Sequence, residues 1–171
     1  MTELLERTDA SIDQVKGLAA SGKLFAILDA CDEPVVPPKC EELGESRAIS
    51  LYRGTAQEKH KKVAPYLVSA DDSLIDWIVE KIWTRPWGIF AYSDASFEET
   101  RKHFRRFLKV ELPDKKQVLF RFYDPRVLPT YLDKCKPAEL REFYGPVRTF
   151  GVGKEGATPA VTLIHGRPEA R

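Results

Sequence analysis

The segment Val118-Leu119-Phe120-Arg121-Phe122-Tyr123-Asp124-Pro125-Arg126-Val127-Leu128 changes period within a few residues, and that limits what the chain around it can become. Val118, Phe120 and Phe122 alternate onto one face, with Leu119, Arg121 and Tyr123 on the other, which is the two-residue period of a strand. Asp124 then suits a helix N-cap and Pro125 the first helical position, where a missing N–H is harmless. The pattern predicts a buried strand running into a capped helix, with charged side chains at the junction. An arginine leaving a largely apolar strand requires a compensating charge, because an unpaired buried ion is strongly destabilising. A carboxylate such as Asp29 on a neighbouring strand is the expected partner. The segment holds no nucleophile, metal-ligand set or phosphate loop, which favours binding over catalysis.

The rest of the chain reads as short strands alternating with amphipathic helices. Residues 2–20 predict an amphipathic helix, with Leu4, Leu5, Ile12, Val15, Leu18 and Ala19 as an apolar stripe and Gly22 as its stop. The continuous apolar run Leu24–Leu28 predicts a central strand. Pro34, Pro37 and Pro38 predict a loop excluded from regular structure. Strands are expected at Ala48–Tyr52 and Trp87–Tyr92, and a third at Val63–Val68 that Pro65 would confine to a sheet edge. Thr55–Lys62 reads as a short solvated helix or loop. Asp72 is expected to cap a helix carrying Leu74, Ile75, Ile78, Val79 and Ile82. Ser96 and Glu99 form the S-x-x-E capping signature of another helix, with Phe97, Phe104, Phe107 and Leu108 inward and Arg101, Lys102, Arg105 and Arg106 outward. Val110–Leu112 and Gln117–Tyr123 flank the turn Pro113–Lys116 as a hairpin. Short helices are expected at Arg126–Asp133 and Ala138–Tyr144, a flexible turn at Gly151, Gly153 and Gly156, and a last strand at Ala160–Ile164. This order predicts an α+β (mixed α/β) fold, a mixed β-sheet flanked by helices in one compact domain over residues 1–150, with a short C-terminal extension over 151–171.

Composition narrows the function classes. At 171 residues the chain can bury one core without cross-links. Lys and Arg number 27 against 26 Asp and Glu, a net charge of +1, so no global field favours nucleic acid or an anionic membrane. Cys31, Cys40 and Cys135 are an odd set without CxxC spacing, which argues against a disulfide framework and for a reducing compartment. The acidic start, Thr2-Glu3-Leu4-Leu5-Glu6, lacks the basic and apolar regions of a signal peptide, and no apolar run has membrane-spanning length; a cytoplasmic protein is expected. His60, His103 and His165 lack paired helical spacing, so no metal or other cofactor is expected. Gly151-Val152-Gly153 lacks the rest of a nucleotide loop.

Two side-chain groups stand out as contact candidates. Trp77, Trp83 and Trp87 gather around Arg85-Pro86, and tryptophan with arginine is over-represented at binding hot spots. Arg121, Tyr123, Asp124 and Arg126 either fix the sheet or line a cleft that receives a peptide, two roles that are compatible. The basic helix Arg101–Arg106 is a solvated face or, in a rival reading, an RNA-binding surface. A second rival is a small hydrolase or transferase using Asp29, Arg121 and Asp124 as acid–base and anchoring groups.

Five further segments occur in order with the strand–Asp–Pro junction: Leu24-Phe25-Ala26-Ile27-Leu28-Asp29-Ala30, Ile49-Ser50-Leu51-Tyr52-Arg53-Gly54, Ala64-Pro65-Tyr66-Leu67-Val68, Trp87-Gly88-Ile89-Phe90 and Phe143-Tyr144-Gly145-Pro146-Val147. Together they resemble the adaptor chaperones of the bacterial type VI secretion system, the Tap/Tec family. The resemblance implies a cytoplasmic, non-catalytic adaptor that binds a secreted effector protein and promotes its loading onto the VgrG or PAAR spike before export. Nucleic acid and membrane are not expected as partners. Larger members continue into a helical C-terminal lobe, and a large lobe of that kind is not expected here. The expected partner-binding residues are Trp87, Phe90, Tyr92, Arg121, Tyr123, Asp124 and Arg126, lining a cleft between the Trp87–Tyr92 strand and the Arg121–Arg126 junction. The contact is a helix in a groove or a strand added to a sheet edge.

Overall fold

Leu24–Asp29 is buried at all six positions, so both of its faces must be covered. It forms β2, an interior strand of the main sheet, in a computed structural model that describes residues 4–167. Around it run β1 (Leu5–Ser11), α1 (Ile12–Ala19), α2 (Val36–Leu43), β3 (Ala48–Ser50), α3 (Thr55–Lys59), β4 (Pro65–Ser69), α4 (Asp72–Lys81), β5 (Gly88–Ser93), α5 (Phe97–Arg105), β6 (Lys109–Glu111), β7 (Gln117–Leu119), α6 (Leu128–Lys134), α7 (Pro137–Tyr144), β8 (Val147–Lys154) and β9 (Ala160–Gly166). Among the described residues, seven strands make one sheet in the order β1-β9-β8-β5-β2-β4-β3, while β6 and β7 pair only with each other.

The α+β class and the helix-flanked sheet are as the sequence predicts. Every ladder among the described residues is antiparallel. β4 and β5 run parallel to each other but do not touch, because β2 lies between them and α4 carries the chain across.

Strand periodicity divides the interior into two cores. Phe25 and Ile27 of β2, Leu67, Ile89, Ala91, Phe150 and Ile164 face α5, α6 and α7. Leu24, Ala26 and Leu28, with Val68, Phe90 and Val161, face α1, α2 and α4. An antiparallel sheet commonly leaves one face wet. This one is sandwiched, which is why β2 reads as an unbroken apolar run.

Several expectations change. The helix expected over residues 2–20 is β1 followed by α1. Ser11 stops the strand by forming a reciprocal capping box with Gln14, its Oγ accepting from the Gln14 N–H at 3.2 Å and its own N–H donating to Gln14 Oε1 at 2.8 Å. The proline segment is not all loop, because Pro37 and Pro38 sit in the first turn of α2, where no backbone donor is needed. Pro65 does not mark an edge. It opens β4, the second strand in from that side, at a strand's first position, where proline is tolerated. The cap of α4 is Asp71, one residue before Asp72. Gly151 and Gly153 are not in a turn but inside β8, and a side chain at Gly151 would meet Val161 Cγ1 at 3.0 Å and Phe90 Cβ at 3.2 Å. β8 therefore runs through position 150, and β9 closes the sheet between β8 and β1, so no domain break falls at 150/151. Residues 1–3 and 168–171, parts of the expected N-terminal helix and C-terminal extension, lie outside the described residues.

The opening segment departs most. Only Gln117–Leu119 is strand, and it is exposed. After the Phe120 N–H donates to the Leu108 carbonyl at 2.7 Å the chain turns inward and buries Phe122 and Tyr123 in the core against α5 and α7. Aromatic burial, not sheet pairing, uses the alternating residues there.

Candidate functional site

β2 ends against β5 at an unusually close approach. Gly88 has φ 143°, and a Cβ there would lie 1.9 Å from the Ile27 carbonyl oxygen, so only glycine lets the two strands meet. The Asp29 N–H donates to the Trp87 carbonyl at 2.8 Å and the Ala30 N–H to the Ala64 carbonyl at 3.1 Å, which fixes the end of β2 between its neighbours. This end of the sheet collects most of the charged side chains singled out by the sequence.

Asp29 is buried and accepts from the Cys31 N–H at 3.0 Å and from the Arg121 guanidinium, the pairing expected from sequence. Burial raises the Asp29 carboxyl above its ordinary range, while Arg121 and the Cys31 N–H pull it back. Burial likewise opposes the charge on Arg121, yet the facing carboxylate outweighs it and holds the guanidinium protonated. Burial also pushes the Tyr52 and Tyr123 phenols up, so both stay neutral hydroxyls beside the pair.

Asp124 is buried as well, but it does not cap a helix. Its carboxylate accepts from the Arg126 N–H at 2.8 Å and takes the Arg126 side chain in a two-pronged pair, Nε to Oδ1 at 3.0 Å and Nη2 to Oδ2 at 2.7 Å. The carbonyl of Asp124 accepts from the Val127 and Leu128 N–H groups, making a turn that delays α6 to Leu128. Burial opposes ionisation of Asp124, but the Arg126 hydrogen bonds outweigh it and hold the carboxyl below the ordinary range. The residue pair read as cap and helix start is a tether for Arg126.

Beside this turn lies a cleft of about 430 Å³ lined by Trp83–Trp87, Pro125, Arg126 and Gly153–Gly156. Trp87 is buried and packs edge-on against Phe90 at 5.0 Å between ring centroids, while Trp83 lies 6.0 Å from Trp87 and is half-buried. Arg85 Nε forms an ion pair with buried Glu33 Oε1 at 2.8 Å, and among the described residues Glu33 Oε2 has no hydrogen-bond partner. Lys154 Nζ pairs with Asp9 at 2.7 Å. Another cavity, of about 440 Å³, is walled by Ala30, Pro34, Pro37 and Pro38 and rimmed by charges of both signs. It lacks aromatic and arginine side chains.

The structure thus brings together only part of the expected set. Trp87 and Arg126 line the cleft, and Asp124 holds Arg126 from behind. Arg121 pairs with Asp29. Tyr123 is buried in the core against α5 to α7, and Phe90 is buried behind Trp87. Tyr92 lies near the opposite end of β5 and does not reach the cleft. The sequence groups Trp77, Trp83 and Trp87 around Arg85-Pro86 as a contact patch; Trp83, Arg85 and Pro86 line the cleft beside Trp87, and Trp77 does not. Gly153, Lys154, Glu155 and Gly156 were missed, since nothing local shows that the β8–β9 turn lies against the Trp83 loop.

The basic helix is not a free positive stripe. Arg101 pairs with Glu98, Arg106 with Glu142, and Arg105 donates to the backbone carbonyls of Ser50, Leu51 and Tyr52 at 3.0–3.2 Å instead of pointing outward. Among the described residues no cluster of His, Cys, Asp and Glu is arranged to hold a metal, and no helix is long and apolar enough to cross a membrane.

The class these features define is an α+β protein whose sheet ends in a tryptophan-floored cleft with tethered cations on its rim. The chain matches, over residues 24–142, the model of the family described as Domain of unknown function (DUF4123), and this stretch is more than half of its length. It therefore belongs to that family, the Tap/Tec adaptors of type VI secretion effectors. No curated protein and no solved structure matches it. The matched stretch includes the Trp83 loop and the Arg121–Arg126 turn; the Gly153–Gly156 wall lies outside it.

Proposed function

We propose that this protein acts in the cytoplasm as an adaptor chaperone, binding a type VI secretion effector through the cleft and promoting its loading onto the VgrG or PAAR spike before export, without chemistry of its own. The observation that carries this reading is the cleft at the end of the sheet. It sets an apolar tryptophan floor under cations from three separate chain segments, each tethered by a carboxylate. Tethered side chains lose little further freedom on binding, so their hydrogen bonds contribute more of their strength to affinity. Family membership supports an effector as the occupant.

The absence of catalysis belongs to the same proposal. Asp29, Arg121 and Asp124, the groups that a hydrolase or transferase would use, are taken up in ion pairs and turn hydrogen bonds. Co-expression with the effector of its own secretion system tests the reading. Co-elution of the two chains through size exclusion is expected. An effector that elutes alone at micromolar concentrations contradicts it, as does small-molecule turnover abolished by Asp29→Asn.

A further inference from the structure

We infer that the cleft selects an acidic segment of the bound polypeptide, one that carries several carboxylates beside an apolar side chain. This rests on the adaptor reading and adds the chemistry of the occupant.

Arg85, Arg126 and Lys154 contribute three cations to the lining, and Glu155 is its one carboxylate. Their side chains are 50%, 69% and 49% exposed, so their heads meet an incoming chain. The partners that hold the two arginines, Glu33 and Asp124, are buried and out of an occupant's reach. Arg126 spends Nε and Nη2 on Asp124 in hydrogen bonds, and Arg85 sets Nε beside Glu33 Oε1 in an ion pair. The remaining N–H groups, Nη1 of Arg126 and both Nη of Arg85, have no acceptor within the protein among the described bonds. Guanidinium groups held by one edge with donors to spare are suited to carboxylates, which they bind with fixed geometry. The floor under them, Trp83, Trp87, Pro86 and Pro125, takes apolar atoms.

A single terminal carboxylate does not account for cations that come from the Trp83 loop, the Asp124 turn and the β8–β9 turn. Several acidic side chains along one segment do. A nucleic acid is disfavoured because the lining offers three cations at one place beside tryptophan and proline side chains, whereas a phosphate backbone depends on a longer track of positive charge.

The test uses two synthetic peptides of equal length, one alternating glutamate with leucine and one alternating lysine with leucine. Binding is read by tryptophan fluorescence and by displacement of the labelled effector. The acidic peptide is expected to bind and to displace the effector, and the lysine peptide to do neither. Lys154→Glu, which breaks only a surface pair with exposed Asp9, is expected to weaken the acidic peptide about fivefold. Trp83→Ala removes the half-buried part of the floor and is expected to weaken it by a similar factor. Equal binding of both peptides, an unchanged response in both variants, or uridine-rich RNA binding as well as the acidic peptide overturns the inference. If the effector co-elutes with the protein yet the acidic peptide neither binds nor displaces it, the inference fails and the adaptor reading stands. If the acidic peptide binds but the effector does not, the adaptor reading fails and the chemistry of the cleft stands.

Discussion

At the scale of single residues, the end of β2 is organised by buried carboxylates that each hold one arginine. Asp29 is 2% exposed and Arg121 38%, so losing the arginine leaves an almost fully buried negative charge without its partner. Breaking a fully buried pair costs about 3–5 kcal/mol, and the partial exposure of Arg121 lowers this to about 2 kcal/mol for Arg121→Ala, read from the urea midpoint. Asp29→Asn combined with Arg121→Met is expected to recover most of that loss, since no charge is then left unpaired. A second residue-scale prediction concerns pH. His103 is buried, its ring facing Phe104 and Phe107, with Arg106 the neighbouring charge and Nε2 2.7 Å from the Phe143 carbonyl. Burial first, then Arg106, lowers its pKa below the ordinary 6.5, while the Phe143 carbonyl acts in the opposite direction. The unfolded chain thus binds this proton more readily than the folded one. The stability contributed by neutral His103 is therefore present above pH 6.5 and is lost as pH falls below it. Urea midpoints at successive pH values should decline on acidification in the native protein, and the decline should shrink in His103→Gln.

At the scale of elements, the close approach of β2 and β5 is the joint on which the cleft depends. Gly88→Ala would put a methyl group 1.9 Å from a backbone oxygen at a φ that L-residues avoid. The strands must separate or the chain must fail to fold. Loss of soluble, cooperative folding is expected in that variant; a normal melting curve would show that the approach is not needed. The elements also show where sequence reasoning reaches and where it stops. β2 was legible because burial on both faces leaves only apolar residues from Leu24 to Leu28, with Asp29 as its one polar position at the end. Pro37 and Pro38 concealed α2, because proline is excluded from helix interiors yet welcome in the first turn. β8 was hidden by Gly151 and Gly153, which locally resemble a turn, although Gly151 owes its presence to Val161 and Phe90 packed against it. The Asp29–Arg121 pair was legible because a charge in an apolar run needs a counter-charge. The third wall of the cleft was not, since it requires knowing that residues 153–156 fold back against residues 83–87.

At the scale of the whole molecule, one sheet carries two cores, and the cleft opens at one of its ends. The β6–β7 hairpin stands apart from that sheet and exposes Val110, Leu112, Val118 and Leu119, which are 38–47% accessible. It is the main competitor for a partner, because an isolated two-stranded ribbon is marginal alone and apolar groups in a cluster attract contact. The two surfaces are separable by experiment. Amide hydrogen exchange on the protein alone and with its effector bound reads both at once. The account predicts slowed exchange at residues 83–87, 125–128 and 153–156, with residues 109–119 unchanged. A stable complex in which those three segments exchange as in the free chain, with protection confined to the hairpin, would contradict it.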